Sequence, residues 1–179
     1  MATNRRCRAY GLATAMAMMM MMFSLLVNQC LGNSLQLLEM LECVHTGHDA
    51  TDYNGYGRYC GLGNCGGEPV DAIDKCCQNH DNCYGKVTAN GGSCRESWDT
   101  YFLNYKMGGK CTSCAPVHAY DATDPDAKCK HGVCRCDRAL TLCLKRHKHN
   151  YNSKNMNKCS ATKKGFREIK TLFKWVIGE

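Results

Sequence analysis

YGRYCGLGNCGGEPVDAIDKCCQNHDNCY, residues 56–84, is the part of this 179-residue chain from which the rest of the fold can be inferred. Its first half is a loop with five glycines between residues 57 and 67. Glycine adopts positive φ angles at low steric cost, so this loop can turn its carbonyl oxygens inward, and hard cations bind oxygen ligands. The sequence therefore predicts an oxygen-lined cation site, followed from Val70 by a helix.

Two neighbouring stripes of side chains are expected along that helix. Each stripe repeats at i, i+4 and i+7, with Cys76, His80 and Cys83 on one and Cys77, Asp81 and Tyr84 on the other. Adjacent residues of a helix point in different directions. His80 and Asp81 are therefore predicted to point to neighbouring but different places.

The first 32 residues have the pattern of a signal peptide. Three arginines and no acidic residue are followed by an apolar, methionine-rich run from about Gly11 to Val27, which is short for a membrane span. Cys30 and Gly32 offer a small-residue cleavage site, which places the mature start near Asn33. This pattern predicts a secreted protein.

Removal of this leader takes away two of the 16 cysteines and leaves 14, an even number in an exported chain. Seven disulfides are expected, because exported proteins mature in an oxidising compartment. A zinc cluster is the alternative, since Cys111-x-x-Cys114 and Cys134-Arg135-Cys136 have the spacing of ligand pairs. The leader also holds three of the 23 basic residues, so the mature chain keeps 20 against 16 acidic residues. Its net charge of +4 suits an anionic surface weakly.

An amphipathic helix is predicted from Asn33 to His45. Three apolar residues recur at helical spacing and are expected to face the core: Leu37, Leu41 and Val44. Leu35 and Leu38 lie off that stripe and are expected to stay more exposed.

A long helix is predicted to begin at Asp124-Pro125-Asp126 and to continue to about Lys148. Proline suits the first helical position, and aspartate caps the positive end of a helix. Farther along, the gap from Cys136 to Cys143 equals the gap from Cys76 to Cys83. If the two helices are antiparallel, two bridges can clamp them, Cys76–Cys143 and Cys83–Cys136.

The position of His80 follows from that clamp. The histidine lies between the two bridges on its own helix. Asp137 comes one residue after Cys136 and is well placed to reach the imidazole.

Five motifs occur in this order along the chain: Tyr59-Cys60-Gly61-Leu62-Gly63, Pro69-Val70-Asp71, Asp74-Lys75-Cys76-Cys77, His80-Asp81-Asn82-Cys83-Tyr84 and Cys134-Arg135-Cys136-Asp137. Together they resemble the secreted phospholipase A2 family over residues 33 to about 159. The resemblance implies a mainly α, disulfide-bonded fold with two antiparallel helices, a calcium-binding loop and a small β-wing. The residues 111–118 by themselves indicate a two-stranded excursion or an irregular loop.

The resemblance implies Ca²⁺-dependent hydrolysis of the sn-2 ester of glycerophospholipids. By position, four groups would bind Ca²⁺, namely the carbonyl oxygens of Tyr59, Gly61 and Gly63 and the carboxylate of Asp81. His80 would be the general base, oriented by Asp137. Tyr84 and Tyr105 match positions whose hydroxyls hydrogen-bond that aspartate, and Tyr101 matches the one that covers the substrate phosphate. The alternative for Tyr84 and Tyr105 is that they are core tyrosines.

This chemistry suits the residue types. Near pH 7 a neutral imidazole can take a proton from water, while a cation and a backbone N–H, that of Gly61, hold the charge that develops on the ester oxygen. A serine triad fits less well because the sequence has no Gly-x-Ser-x-Gly elbow. An EF-hand fits less well because its Asp-rich loop pattern is absent from the sequence.

The resemblance also implies three further bridges: Cys43–Cys111, Cys94–Cys129 and Cys114–Cys134. A Cys60–Cys77 bridge would tie the loop to the Asp81 carboxylate, because Cys77 lies one turn from Asp81 on the same stripe. Cys65 and Cys159 remain and are expected to pair. The chain departs from the commonest family pattern at Asn64, where a second glycine is usual, and at Arg58, where a cysteine often stands. One extra residue also precedes Pro69 in the loop.

The last 20 residues, 160–179, form a basic extension beyond the resemblance. If this segment is helical, its apolar residues fall within an arc of about 140°, and they are Phe166, Ile169, Leu172, Phe173, Val176 and Ile177. Basic residues occupy much of the remainder. This pattern is typical of an interfacial helix, and the alternative is a helix packed on the domain.

The expected partner is a phospholipid membrane surface or micelles, and no nucleic acid. The alternative function is a non-enzymatic toxin or receptor-binding protein on the same scaffold. The presence of Asp81 favours the enzyme, because this carboxylate would bind Ca²⁺. A chain without it would have favoured the alternative.

Overall fold

A computed structural model describes residues 32–44 and 46–159 of the chain. The α-helices in these ranges are α1 (Gly32–Cys43), α2 (Ala72–Thr88), α3 (Asp99–Phe102) and α4 (Ala127–His147). Short 3-10 helices lie between and after them, at Ala50–Tyr53, Val117–Ala119, Lys148–Asn150 and Ser153–Asn155. Residues 1–31 of the predicted signal peptide and the basic extension 160–179 lie outside the described residues.

The predicted mainly α fold is confirmed. In the described ranges β structure is limited to two isolated antiparallel bridges, Tyr56 with Met156 and Met107 with Cys114. The second bridge folds the chain back on itself where the β-wing is expected, and in the described chain the wing is reduced to this single pair. None of the described helices is long and apolar enough to cross a membrane.

The α2 and α4 helices are antiparallel, as the cysteine spacing indicated. Cys76 is bonded to Cys143 and Cys83 to Cys136, so the residue number rises along one helix where it falls along the other. Both bridges have a Cα–Cα distance of 5.7 Å. The two helices are thus held side by side at two points two turns apart.

Fourteen cysteines of the described chain form seven disulfides, and each predicted pair is present. The zinc cluster considered as an alternative is therefore wrong, because its cysteines are in disulfides and cannot ligate a metal as thiolates. Removal of one native disulfide from a small secreted domain typically costs about 2–5 kcal/mol. Cross-links of this density stabilise a domain whose core is small.

Helix α1 packs its apolar side on the core, with one correction. Leu41 and Val44 are buried as predicted and Leu37 is half-buried, but Leu38 also packs against the core. Met40 is fully buried in a second cluster, with Tyr105 and Val133 among its members. The predicted stripe was too narrow because α1 contacts apolar clusters on two sides.

Helix α4 begins at Ala127, two residues after the predicted start at Pro125. The carboxylate of Asp124 accepts hydrogen bonds from the Asp126 backbone N–H at 2.9 Å and from Lys130 Nζ at 2.8 Å. Asp126 occupies the N-cap position and makes no side-chain cap. The carboxylate of Asp124 therefore closes a turn that precedes the helix, and Pro125 lies within this turn.

Candidate active site

The paired helices bring His80 of α2 against Asp137 of α4. His80 Nε2 lies 2.8 Å from Asp137 Oδ1. The Asp137 side chain is fully buried, and the His80 side chain is 11% exposed. The imidazole therefore has one edge fixed inside the protein and some access to solvent, at the position between the two bridges that the sequence indicated.

Two tyrosine hydroxyls complete the environment of Asp137. Tyr84 donates to Oδ1 at 2.7 Å and Tyr105 donates to Oδ2 at 2.9 Å. Burial, and next the charge of Asp137, raises the pKa of both phenols well above the ordinary value. Both hydroxyls therefore stay protonated and donate, which offsets the cost of burying a carboxylate without a formal cation.

The same contacts fix the tautomer of His80. A carboxylate accepts hydrogen bonds and cannot donate, so Nε2 carries the ring proton and Nδ1 keeps its lone pair. No described residue makes a hydrogen bond to Nδ1. The ring of Tyr84 packs on the imidazole with a centroid distance of 4.2 Å, which restricts its rotation.

The glycine-rich loop beside α2 presents free carbonyl oxygens. Gly61 and Gly63 have φ angles of 105° and 77°, a conformation that favours glycine. None of the described residues donates a hydrogen bond to the carbonyl oxygen of Tyr59, Gly61 or Gly63. The Cys60–Cys77 disulfide ties this loop to α2 one turn before Asp81.

Asp81 supplies a carboxylate at this loop. Its Oδ2 accepts a hydrogen bond from Asn64 Nδ2 at 2.9 Å, and burial raises the pKa of Asp81 above its ordinary value. A partly buried carboxylate whose described hydrogen-bond partner is a neutral amide is stabilised by a nearby cation. Carboxylate and carbonyl oxygens are the ligand types that a hard divalent cation such as Ca²⁺ takes, so Asp81 and the three loop carbonyls are candidate ligands.

Asp74, to which the sequence analysis gave no role, holds the base of the loop. Its fully buried carboxylate accepts from the backbone N–H groups of Arg58 at 2.9 Å, Tyr59 at 2.8 Å and Val70 at 2.9 Å. Because Arg58 and Val70 lie at opposite ends of the loop, one side chain closes it. An aspartate in the first turn of a helix is usually a solvent-exposed partner of the helix dipole, so only the family motif that contains Asp74 singled it out.

Gly57→Ala is expected to distort this closure. An added Cβ would lie 2.2 Å from Asp74 Cγ, and the φ of 61° is itself unfavourable for alanine. A left-handed conformation costs a residue other than glycine about 1–2 kcal/mol, and the clash with a buried carboxylate adds to that. The free energy of unfolding should therefore fall, as measured by denaturant titration.

Gly91→Ala is the matched control for this variant. Gly91 also has a positive φ, 81°, but its added Cβ meets no atom within 4 Å. It should lose only the conformational contribution to the free energy of unfolding. Equal losses in the two variants would mean that the contact with Asp74 does not matter.

Two of the three departures from the family pattern have local explanations. Asn64, where a glycine is usual, directs its amide to Asp81. The Cys65–Cys159 disulfide tethers the loop to the end of the described chain, and Cys159 Sγ lies 3.4 Å from the carbonyl oxygen of Arg58. Arg58 itself donates from Nη1 to Gly66 O at 3.2 Å, so it supports the loop that a cysteine would have cross-linked.

Exposed apolar side chains lie in the glycine-rich loop and at α3. Leu62 of the loop is 46% exposed, and Trp98 and Phe102 at α3 are 66% and 48% exposed. Tyr101 connects Trp98 with Tyr84. The centroid of its ring lies 5.8 Å from that of Tyr84 and 6.3 Å from that of Trp98. We call Leu62, Trp98 and Phe102 the apolar rim.

Comparisons with known proteins identify the family of this chain. The phospholipase A2 family model matches residues 34–156. A phospholipase A2 of Acanthaster planci is 36% identical over 112 residues, which cover 61% of this chain and 70% of that protein. A phospholipase A2 of Calliactis polypus is 40% identical over 111 residues, 62% of each chain, and a basic phospholipase A2 of Micrurus mipartitus is 38% identical over 131 residues, 71% of this chain and 99% of the other. The chain therefore belongs to the phospholipase A2 family, which is a family of esterases.

Proposed function

We propose that this chain is a secreted, Ca²⁺-dependent phospholipase A2 that hydrolyses the sn-2 ester of glycerophospholipids to lysophospholipid and free fatty acid. One observation carries the proposal. The imidazole of His80 is fixed by a buried carboxylate, and the carboxylate of Asp81, the next residue, lies at a loop of free carbonyl oxygens. The first group can accept a proton and the second can hold a cation, and this type of ester hydrolysis uses both.

The proposed Ca²⁺ ligands are the carbonyl oxygens of Tyr59, Gly61 and Gly63 and the carboxylate of Asp81. A bound Ca²⁺ supplies positive charge that stabilises the negative charge developing on the carbonyl oxygen of the ester. The backbone N–H of Gly61 is proposed as a further donor to that oxygen. Asp74 and the Cys60–Cys77 disulfide set the position of the loop relative to Asp81, which supports this assignment.

His80 is the proposed general base. With its Nε2–H donated to Asp137, the lone pair of Nδ1 takes a proton from the water molecule as that water attacks the ester carbon. The imidazolium that forms is stabilised by the adjacent carboxylate, and it returns the proton to the leaving glycerol oxygen. Tyr84 and Tyr105 hold the two oxygens of Asp137 in place, so the carboxylate keeps the ring oriented throughout.

Release of fatty acid from phospholipid vesicles tests this function directly. We expect release with Ca²⁺, no release in excess chelator, and recovery when Ca²⁺ is restored. A fatty acid labelled at the sn-2 position identifies the bond that is cleaved. A non-enzymatic toxin on the same scaffold would bind or disrupt vesicles without releasing fatty acid, so leakage without release would overturn the proposal.

A phospholipid membrane surface or micelle is the proposed partner. The apolar rim supports this, because exposed Trp98 contacts Tyr101, which in turn packs on Tyr84. Tryptophan and other aromatic residues are favoured at membrane–water interfaces. The basic extension 160–179 is the second proposed contact, since its apolar arc and basic residues belong to one short segment.

Deletion of residues 161–179 is expected to weaken binding to anionic vesicles. The reason is the loss of both an apolar surface and a net charge of +3, most of the +4 of the mature chain. Co-sedimentation with vesicles of increasing anionic lipid content measures the effect. Hydrolysis of a short-chain, monomeric substrate is the control and should be unchanged.

A full-length variant separates the two contributions of the extension. Replacement of its five basic residues, Lys163, Lys164, Arg167, Lys170 and Lys174, by glutamine removes charge and keeps the apolar arc. This variant should bind anionic vesicles better than the deletion but worse than the parent chain. If the deletion binds as tightly as the parent, the extension is not a membrane contact and packing on the domain is the better account.

A further inference from the structure

A basic cleft lies between α4 and the hairpin at residues 107–114. Its volume is about 420 Å³. Basic and hydroxyl side chains line it: Lys110, Thr112, Ser113, His131, Arg135 and Arg138. No acidic residue contributes to this lining, so the cleft favours an anion.

The cleft is separate from the candidate active site. His131, Arg135 and Arg138 recur at i, i+4 and i+7 and so share one face of α4. At roughly 100° per residue, this face is about 100–160° around the helix from Asp137. A lipid whose ester lies at His80 therefore does not place its phosphate in the cleft.

The cations of the cleft lack protein partners. Among the residues that the structure describes, none makes a hydrogen bond or an ion pair with the side chain of Lys110, Arg135 or Arg138. Elsewhere in the described chain, Arg95 forms an ion pair with Asp126 and Lys130 with Asp124. Unpaired cations that converge on one cleft repel one another, and a bound anion relieves that repulsion.

The walls of the cleft are held in place before any ligand binds. The Cys114–Cys134 disulfide joins the hairpin to α4, and the Cys43–Cys111 disulfide joins its tip to α1. The imidazole of His131 is oriented by a 2.9 Å hydrogen bond between Nδ1 and Ala115 O. A site that is ordered in advance spends less binding energy on ordering itself.

We propose that this cleft binds a sulfated or phosphorylated sugar from solution. Arginine guanidinium groups bind the oxygens of tetrahedral anions through two parallel hydrogen bonds, and hydroxyl side chains add further donors. The volume lies in the range of about 300–1,000 Å³ that is usual for small-molecule sites. It exceeds what one sulfate or phosphate needs, so the ligand carries its anionic groups on a larger body, and a sugar has that size.

Calorimetric titration of the full chain with sucrose octasulfate, at an ionic strength of about 0.15 M, tests the proposal. The variant Arg135→Gln/Arg138→Gln should bind this probe about tenfold more weakly or worse, because it loses charge-assisted hydrogen bonds. The matched control is Lys145→Gln/Arg146→Gln, which removes two exposed positive charges from the same helix outside the cleft. The control should change the affinity by less than about threefold.

Three results would overturn the proposal. The first is no binding of sucrose octasulfate to the parent chain, and the second is an equal loss in both double variants, which indicates diffuse charge. The third is a cleft variant that binds sucrose octasulfate normally but loses binding to vesicles containing a phosphorylated inositol lipid, which assigns the cleft to a lipid head group. Fatty-acid release from a monomeric substrate should be the same in the parent chain and both variants, so the test is independent of the proposed catalysis.

Discussion

His80→Gln is expected to lower hydrolysis by about 10²-fold or more, the usual contribution of a general base. Glutamine can still donate a hydrogen bond toward Asp137, but its amide nitrogen has no lone pair to accept a proton from water. The rate of fatty-acid release from a monomeric substrate measures the effect. Binding of Ca²⁺ should be retained, because the proposed ligands come from the loop and from Asp81.

A control variant and a binding measurement separate the effect on catalysis from an effect on stability. His118 is an exposed histidine of a short 3-10 helix, so His118→Gln serves as the matched control and should keep full activity. Calorimetry with Ca²⁺ shows whether the His80 variant still folds and binds the ion. Near-normal turnover in a folded His80→Gln protein would assign the base to another residue.

The position of His80 could be predicted because covalent geometry constrains it. Equal spacing of two cysteine pairs fixes two helices side by side, and a residue between the bridges on the same stripe, as His80 is, must face the partner helix. The contact of His80 with Asp137 follows from that arrangement. The roles of Tyr84 and Tyr105 came from the family resemblance, and the structure brings both hydroxyls to Asp137.

The role of Asp74 could not be derived from residue types or spacing. Its burial depends on the glycine-rich loop folding back over the first turn of α2, which is a tertiary contact between residues about 15 positions apart. Local rules instead place an aspartate at this position in solvent, near the positive end of the helix. The contact of Asn64 with Asp81 has the same origin, because it depends on the final course of an irregular loop.

The short length of α3 also has a long-range cause. The segment 96–107 contains four aromatic residues, yet its α-helix covers only Asp99–Phe102. The side chain of Gln36 accepts a hydrogen bond from Tyr105 N at 2.9 Å and donates one to Tyr105 O at 2.6 Å. These two bonds to α1 pair the backbone N–H and C=O of Tyr105, so neither group needs a helical partner. The Tyr105 side chain extends from this position to Asp137.

Asp81→Asn is expected to abolish binding of Ca²⁺ and, with it, hydrolysis. Asparagine keeps the size of the side chain but removes the negative charge, leaving only neutral oxygens to replace the hydration shell of a divalent cation. In the parent chain, burial raises the pKa of Asp81, so the ionised form is costly without a cation and binding of Ca²⁺ should offset that cost. We therefore expect Ca²⁺ to raise the melting temperature of the parent protein and not that of the variant.

Two further variants, a control and a charge reversal, test this prediction. Asp49→Asn is the matched control, because Asp49 is exposed and its side chain makes no cap hydrogen bond, so its response to Ca²⁺ should equal that of the parent. Asp81→Lys introduces an ammonium group at the proposed site; this variant should fold, ignore Ca²⁺ and release no fatty acid. Since the disulfides Cys60–Cys77 and Cys83–Cys136 hold the loop and α2 without the ion, both Asp81 variants should keep the fold, which circular dichroism checks. Hydrolysis that persists in either variant, or in the parent with excess chelator, would mean that the charge on the ester oxygen is stabilised without Asp81 and the cation.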